Sequence, residues 1–369
     1  MTDAVRTPRA QAEITGSAGG ALVRRVGLFA FVLMAGLISV IVGNYRLDPF
    51  TYNRAALADM SAFLAADMNY ALLDPNIDLR ALRREHVRQM RTTPDVVVFG
   101  GSPWQHASAA LLPGRKLFNA FVHNHTYEDL LAITELLRAN DRLPKTLVLS
   151  VRFHAFQQST LWKEWAPEYR SMARLLGLQD PGWFNTFAFD KWMNLLSLHR
   201  AMQKWAVYRR APKASGPVAA WSDPTRDIIG AEGALYFSEE HDRLDTVESA
   251  YKSASTNAPL ERNRSQPLDA AKVDGLERLL VYLKGRGVRV ILAQAPYHPY
   301  YWQGFSDYPG GAYLQRLVRE VNRVGEKLNI ESVGNLDPRI VGCGEAEFRD
   351  DKHPKPSCLG KIFASISNL

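Results

Sequence analysis

One uninterrupted apolar run stands out near the start of the chain. Val26 to Gly43 (VGLFAFVLMAGLISVIVG) carries no charge, and Ala21 to Val23 and Tyr45 extend it to a length that spans a hydrocarbon core. Arg6, Arg9, Arg24 and Arg25 precede it, a bias that places the short N-terminal tail in the cytoplasm and everything after Asn44 outside. A cleaved signal peptide is the competing reading. The long polar leader, Thr2 to Ala21, and the weak small-residue cleavage site disfavour it, and the leader itself is expected to lack structure.

Beyond the run the pattern changes twice. Asp48 to Arg91 has helical periodicity, broken near Asp74-Pro75-Asn76. Short β-branched runs then alternate with amphipathic helices. Strands are predicted at Asp95–Phe99, Lys116–Val122, Lys145–Val151, Val288–Gln294 and, more weakly, Ile330–Leu336. Helices are predicted at Tyr127–Asn140 with Thr126 as N-cap, at Leu268–Gly285, at Ala312–Leu328, and from Ser357 to the end. Such alternation implies a parallel sheet covered on both faces, hence an α/β, flavodoxin-like three-layer sandwich. The segment 153–266 interrupts the rhythm. Its first half has helical pattern and tryptophans (Trp162, Trp165, Trp183, Trp192, Trp205), and its second half has little periodicity. It reads as a helical insertion over the strand ends, or equally as a satellite aromatic core. The partition expected is a tail at 1–21, an anchor at 22–45, a helical connector at 46–93 and an exported domain at 94–369.

Composition changes this picture little. The chain has 369 residues and a globular balance of apolar and charged side chains. Its formal charge is +7 and its pI about 9.3, but no basic stripe or motif supports nucleic-acid binding. The only two cysteines, Cys343 and Cys358, are expected to pair in an exported domain, the alternative being two buried thiols.

Chemistry concentrates at two places. Ser102 follows the first strand directly in Val96-Val97-Val98-Phe99-Gly100-Gly101-Ser102. A serine at a strand-to-helix turn exposes its hydroxyl beside backbone N–H groups, although Ser102-Pro103 is also a good N-cap and N1 pair. Asp350 precedes His353 by three residues, a spacing that sets a carboxylate beside an imidazole. Together they offer nucleophile, base and orienter. His123 and His125 alternate along a strand end and should share a face. His106 lies one turn after Ser102 and is a candidate for the pocket lining. No acidic or cysteine partners accompany the histidines at ligand spacing, so neither a metal nor another cofactor is expected. Tyr297, His298 and Trp302, just past a strand end, could form an aromatic sugar platform or simply a packed loop.

Gly100-Gly101-Ser102 after the first strand, Asp350-x-x-His353 near the end, and Gly287 to Pro296 (GVRVILAQAP) between them resemble the SGNH (GDSL-like) hydrolase superfamily. Within it the chain is most similar to the membrane-anchored periplasmic branch associated with acylation of envelope polysaccharide and teichoic acid. The resemblance covers Asp95 to Leu369 without the insertion. It implies Ser102 as nucleophile, His353 as general base and Asp350 as its orienter. It also implies a single-pass protein of a bacterial inner membrane with its main domain in the periplasm. The implied partners are a polysaccharide substrate and a multi-spanning acyltransferase or a synthase or secretion complex. Three departures stand out. The usual Gly-Asp-Ser is Gly-Gly-Ser here. Phe121 stands where the second block has its oxyanion-hole glycine, and Ser150 to His154 lacks the third block's Asn. Gly101, Asn119 and Arg152 are the candidate substitutes. Two functions follow: a serine-dependent O-acyltransferase or esterase, which the site residues favour, and a catalytically lapsed scaffold that binds glycan or a secretion partner.

Overall fold

A computed structural model describes residues 12–47, 54–72, 77–150, 156, 165–179, 194–199, 201–202, 205–206, 215–264 and 267–366. Two compact units emerge: Met1–Pro49 with Ala188–Arg209, and Phe50–Phe187 with Arg210–Leu369.

The first unit is built on one helix, Ala12–Leu47, which begins inside the leader expected to be unstructured. Its stretch Gly20–Arg46 is long and apolar enough to cross a membrane, and its large side chains, such as Leu22, Phe29, Phe31 and Leu33, are exposed.

Among the described residues, the second unit holds nine strands. They are β1 (Asn69–Leu72), β2 (Val96–Phe99), β3 (Leu117–Asn119), β4 (Thr146–Ser150), β5 (Gly216–Val218), β6 (Asp227–Ile229), β7 (Leu235–Tyr236), β8 (Arg289–Gln294) and β9 (Glu331–Gly334). Five of them form a sheet in the order β3-β2-β4-β8-β9, parallel throughout. In chain order that is 2-1-3-4-5, a doubly wound arrangement whose order reverses beside β2 and β4. The period-two rule explains why these strands read as continuous apolar runs. Val97, Phe99, Leu147, Leu149, Val290 and Leu292 enter one core with helices Tyr127–Ala139, Ala270–Gly285 and Pro309–Lys327. Val96, Val98, Val148, Ile291 and Val333 enter a second core, closed by Trp104 and by Leu359, Ile362 and Phe363 of the last helix, Pro356–Ala364. Thr126 caps its helix as expected, in a capping box with Asp129.

The remaining strands form a small antiparallel sheet, β5-β1-β6-β7, that the pattern did not predict. The connector, expected to be helical with a break near Asp74-Pro75-Asn76, contains helices Arg54–Ala65 and Leu79–Gln89 with the unexpected β1 between them. Four residues are too few for a period to register, and their partners lie far along the chain. The second half of the insertion likewise holds β5, β6, β7 and helices Glu239–Leu244 and Val247–Glu261. Of the tryptophans in its first half, Trp162, Trp183 and Trp192 lie outside the described residues.

The β6–β7 hairpin is latched to the main sheet. The Asn119 N–H donates to the Glu232 carbonyl at 2.6 Å, and the Leu235 N–H to that of Gln105 at 2.7 Å. Arg83 is wholly buried and donates to the carbonyls of Phe121 at 3.2 Å and Gly233 at 2.7 Å, while burial lowers its pKa to about 9. Gly233 has φ +92°, and a Cβ there would stand 2.5 Å from the Asn119 carbonyl, so only glycine fits.

Candidate active site

Ser102 emerges at the carboxyl end of β2, next to the point where strand order reverses. The chain must turn sharply there. A Cβ on Gly100 would lie 2.6 Å from the Trp104 ring and 2.8 Å from Ser150 Cβ. Gly101 caps a three-residue 3-10 turn, Ser102–Trp104, with Pro103 inside it. Ser102 is therefore the first residue of the turn, and its hydroxyl is not a cap. Ser102 Oγ instead lies 2.8 Å from His353 Nε2.

The partner turn is built by its own carboxylate. Asp350 Oδ1 accepts from the N–H groups of Lys352 at 2.8 Å and His353 at 2.9 Å. Its Oδ2 lies 2.6 Å from His353 Nδ1. An ionised carboxylate only accepts, so Nδ1 carries the proton and Nε2 offers a lone pair to the serine hydroxyl. Burial pushes the Asp350 carboxyl up, but the hydrogen bond and charge of His353 and the two backbone N–H groups outweigh it and hold the pKa below its ordinary value. Outside the turn, Phe348 bridges Pro354, and the Arg349 N–H donates to the His353 carbonyl at 2.9 Å. A Cys343–Cys358 disulfide spans it, and both cysteines pack on the wholly buried Phe348.

The three side chains open into a cleft of about 320 Å3, at the small end for a ligand pocket. Gln105, His123 and Asn124 line it from the main sheet, and Phe237, His241 and Asp245 line it from the insertion. Arg349 joins the two sides. It donates to Asp242 at 2.5 Å and to Asp245, and its guanidinium lies 4.5 Å from the centre of the Phe237 ring. Phe237 in turn stacks on His241, whose pKa is raised by its hydrogen bond to Asp227. The insertion residues carry no motif, so the sequence offered no signal for them.

Several expected site residues sit elsewhere. Asn119 is wholly buried and its amide is committed. Nδ2 donates to the carbonyls of Trp104 at 2.7 Å and Ala107 at 3.0 Å, and Oδ1 accepts from the Phe121 N–H at 3.1 Å. It secures the nucleophile's turn from behind and has no N–H directed at the cleft. The same bond removes the Phe121 N–H from any oxyanion role. His106 is buried behind Gln105 and does not line the cleft. Its Nδ1–H donates to the Leu235 carbonyl at 2.7 Å and its Nε2 accepts from the Gln105 amide, so the ring is neutral. Burial, reinforced by the Arg349 charge, holds its pKa down to about 3. His123 and His125 do not share a face. The strand has ended by Asn119, and Asn124, with φ +48°, reverses the chain between them. His123 faces the cleft, whereas His125 is buried with Nε2 2.9 Å from the Ser150 carbonyl. Tyr297, His298 and Trp302 are 4%, 0% and 6% exposed. Their rings pack with Phe305 and Phe348 inside the fold, so no aromatic platform faces solvent there. Arg152 lies outside the described residues. Two amide-bearing residues that do line the cleft are Gln105 and Asn124, both missed in the sequence.

Compared with protein-family models, with curated proteins and with solved structures, the chain found no match in any of the three.

Proposed function

We propose that this chain is a membrane-anchored, serine-dependent O-acyltransferase or esterase of SGNH type, with its α/β unit in the periplasm and an envelope or secreted polysaccharide as substrate. One observation carries the reading: an unbroken chain of hydrogen bonds, Asp350 to His353 at 2.6 Å and His353 to Ser102 at 2.8 Å, opening on a cleft at the carboxyl ends of parallel strands. In the proposed reaction Ser102 Oγ attacks an acyl carbonyl while its proton passes to His353 Nε2. The donor's C–O or C–S bond breaks, and its leaving group takes that proton. A sugar hydroxyl, or water in hydrolysis, then gives its proton to Nε2 and attacks the acyl carbon, and Ser102 Oγ leaves with the proton. Asp350 keeps the imidazole oriented and stabilises it when charged. Among the residues lining the cleft, Gln105 and Asn124 carry amide donors for the oxyanion; one Gln105 amide hydrogen is taken by His106 Nε2, which leaves the second.

A fluorophosphonate probe tests the nucleophile on the purified full chain. Covalent labelling that disappears in Ser102→Ala and in His353→Ala is the expected result. The commitment of Asn119 and of the Phe121 N–H favours a second reading, a non-catalytic scaffold that binds glycan or a secretion partner. Absence of labelling, with glycan binding intact in Ser102→Ala, would establish that reading and overturn the first.

A further inference from the structure

The first unit contains a short segment with an unusual surface. Leu195 is buried, but Leu198, Met202 and Trp205 are 60%, 63% and 53% exposed. Their sequence spacing, i, i+4 and i+7, is that of one face of a helix, and the described residues 198–199, 201–202 and 205–206 are helical. Large apolar groups gathered on one face, rather than scattered singly, mark a surface that meets something.

Its position says what it meets. Asn44 stands immediately after the apolar run Val26 to Gly43, which at 1.5 Å per residue is roughly 27 Å long, close to the thickness of a hydrocarbon core. Asn44 is 2% exposed, and its Nδ2 donates to the carbonyls of Leu195 at 2.8 Å and Ser197 at 3.0 Å. These two bonds fix the segment at the height where the apolar run ends. Val40, Ile41 and Gly43, in the last apolar turn, are partly covered, while the helix before them is open. A leucine, a methionine and a tryptophan held at that level match the headgroup boundary, where an indole keeps its ring in the apolar layer and its N–H among polar groups. The same stretch of sequence carries Arg200, Lys204, Arg209 and Arg210 and no acidic residue.

From this arrangement we infer a second membrane contact in the lipid interface beside the anchor, made by Leu198, Met202 and Trp205 inserted among the acyl chains. The occupant of the apolar face is the bilayer itself. This inference rests on the reading of Gly20–Arg46 as a membrane span.

Spin-label depth measurements on the full chain separate the two. Among the described residues no cysteine is free, so one introduced cysteine gives one label. Met202→Cys, Leu198→Cys and, for the anchor, Leu33→Cys are labelled and reconstituted in vesicles of phosphatidylethanolamine and phosphatidylglycerol. Collisions with oxygen and with a water-soluble nickel complex report depth. At 198 and 202 oxygen accessibility should rise and nickel accessibility fall on reconstitution, to a depth shallower than that at 33. Labels at 198 and 202 that stay nickel-accessible while the label at 33 is embedded would overturn the interfacial contact, leave the anchor intact, and free the face for a protein partner. A nickel-accessible label at 33 would instead refute the anchor, and the contact with it.

Discussion

Replacing Asn119 by alanine separates two roles that lead to opposite readouts. If Asn119 supplied an oxyanion donor, Asn119→Ala would leave stability alone and slow acylation by about 10²–10³. The structure assigns it a supporting role. Asn119→Ala would remove one of two partners from the Trp104 carbonyl and the side-chain partners of the Ala107 carbonyl and the Phe121 N–H, in a site without solvent access. The Trp104 carbonyl keeps the Ala107 N–H at 2.9 Å, so two groups are left unpaired. Each buried polar group left unpaired costs about 1–3 kcal/mol, so two dry groups bound the loss between about 2 and 6 kcal/mol. A water bridging the Ala107 carbonyl and the Phe121 N–H in the vacated volume would bring the loss to the lower end, about 2 kcal/mol. The assay is urea unfolding of the detergent-solubilised full chain by tryptophan fluorescence, beside the rate of fluorophosphonate labelling under native conditions. The expected result is a clearly lowered midpoint with labelling slowed much less than a hundredfold. An unfolding free energy within about 0.5 kcal/mol of the parent, together with a hundredfold slower labelling, would refute the reasoning and return Asn119 to the oxyanion site.

Two further predictions concern the turn that carries the base. Removing the disulfide with Cys343→Ala and Cys358→Ala together releases a loop of sequence separation 15, worth about 3 kcal/mol by loop entropy. Unfolding should therefore need less urea and serine labelling should slow, and an unchanged midpoint would refute the estimate. Asp350 has its folded pKa depressed from the ordinary carboxylate value, so its stabilising contribution is present above the unfolded pKa, about 4, and is lost as pH falls through the folded value. The stability gap between the parent and Asp350→Asn, measured by urea midpoints from neutral pH downward, should hold steady to about pH 4 and then close. A gap that persists unchanged at lower pH, or that closes near neutrality, would contradict the depressed pKa.

Much of the α/β frame was legible in the sequence because buried parallel strands are dense in β-branched residues and their helices are amphipathic. Val96 to Phe99, Thr146 to Ser150 and Arg289 to Gln294 fall within the predicted runs, with ends shifted by one residue. The strand Asn69–Leu72 was not legible, because its pairing with Gly216–Val218 and Asp227–Ile229 depends on contacts across the chain. Candidate-site residues divided in the same way. Ser102, Asp350 and His353 were visible because each sits in a local motif whose spacing has chemical meaning. Asn119, His106, Tyr297, His298 and Trp302 were polar or aromatic in promising places, and only packing shows that their groups are turned inward and committed.

The sequence by itself determined the long apolar N-terminal helix, the alternation of strands and helices, the short separation of Asp350 from His353, and the availability of just two cysteines to pair. These are properties of composition and local period. Tertiary structure alone decided that Ser102 Oγ meets His353 Nε2 across 251 positions of chain. It alone brought Phe237, His241 and Asp245 from the insertion to the cleft wall, and tied Asn44 to a segment 151 positions away. The physical reason is common to all three. A hydrogen bond or a packed wall between distant segments leaves no periodic trace in either, and exists only once the sheet and its latches have fixed where each chain end points.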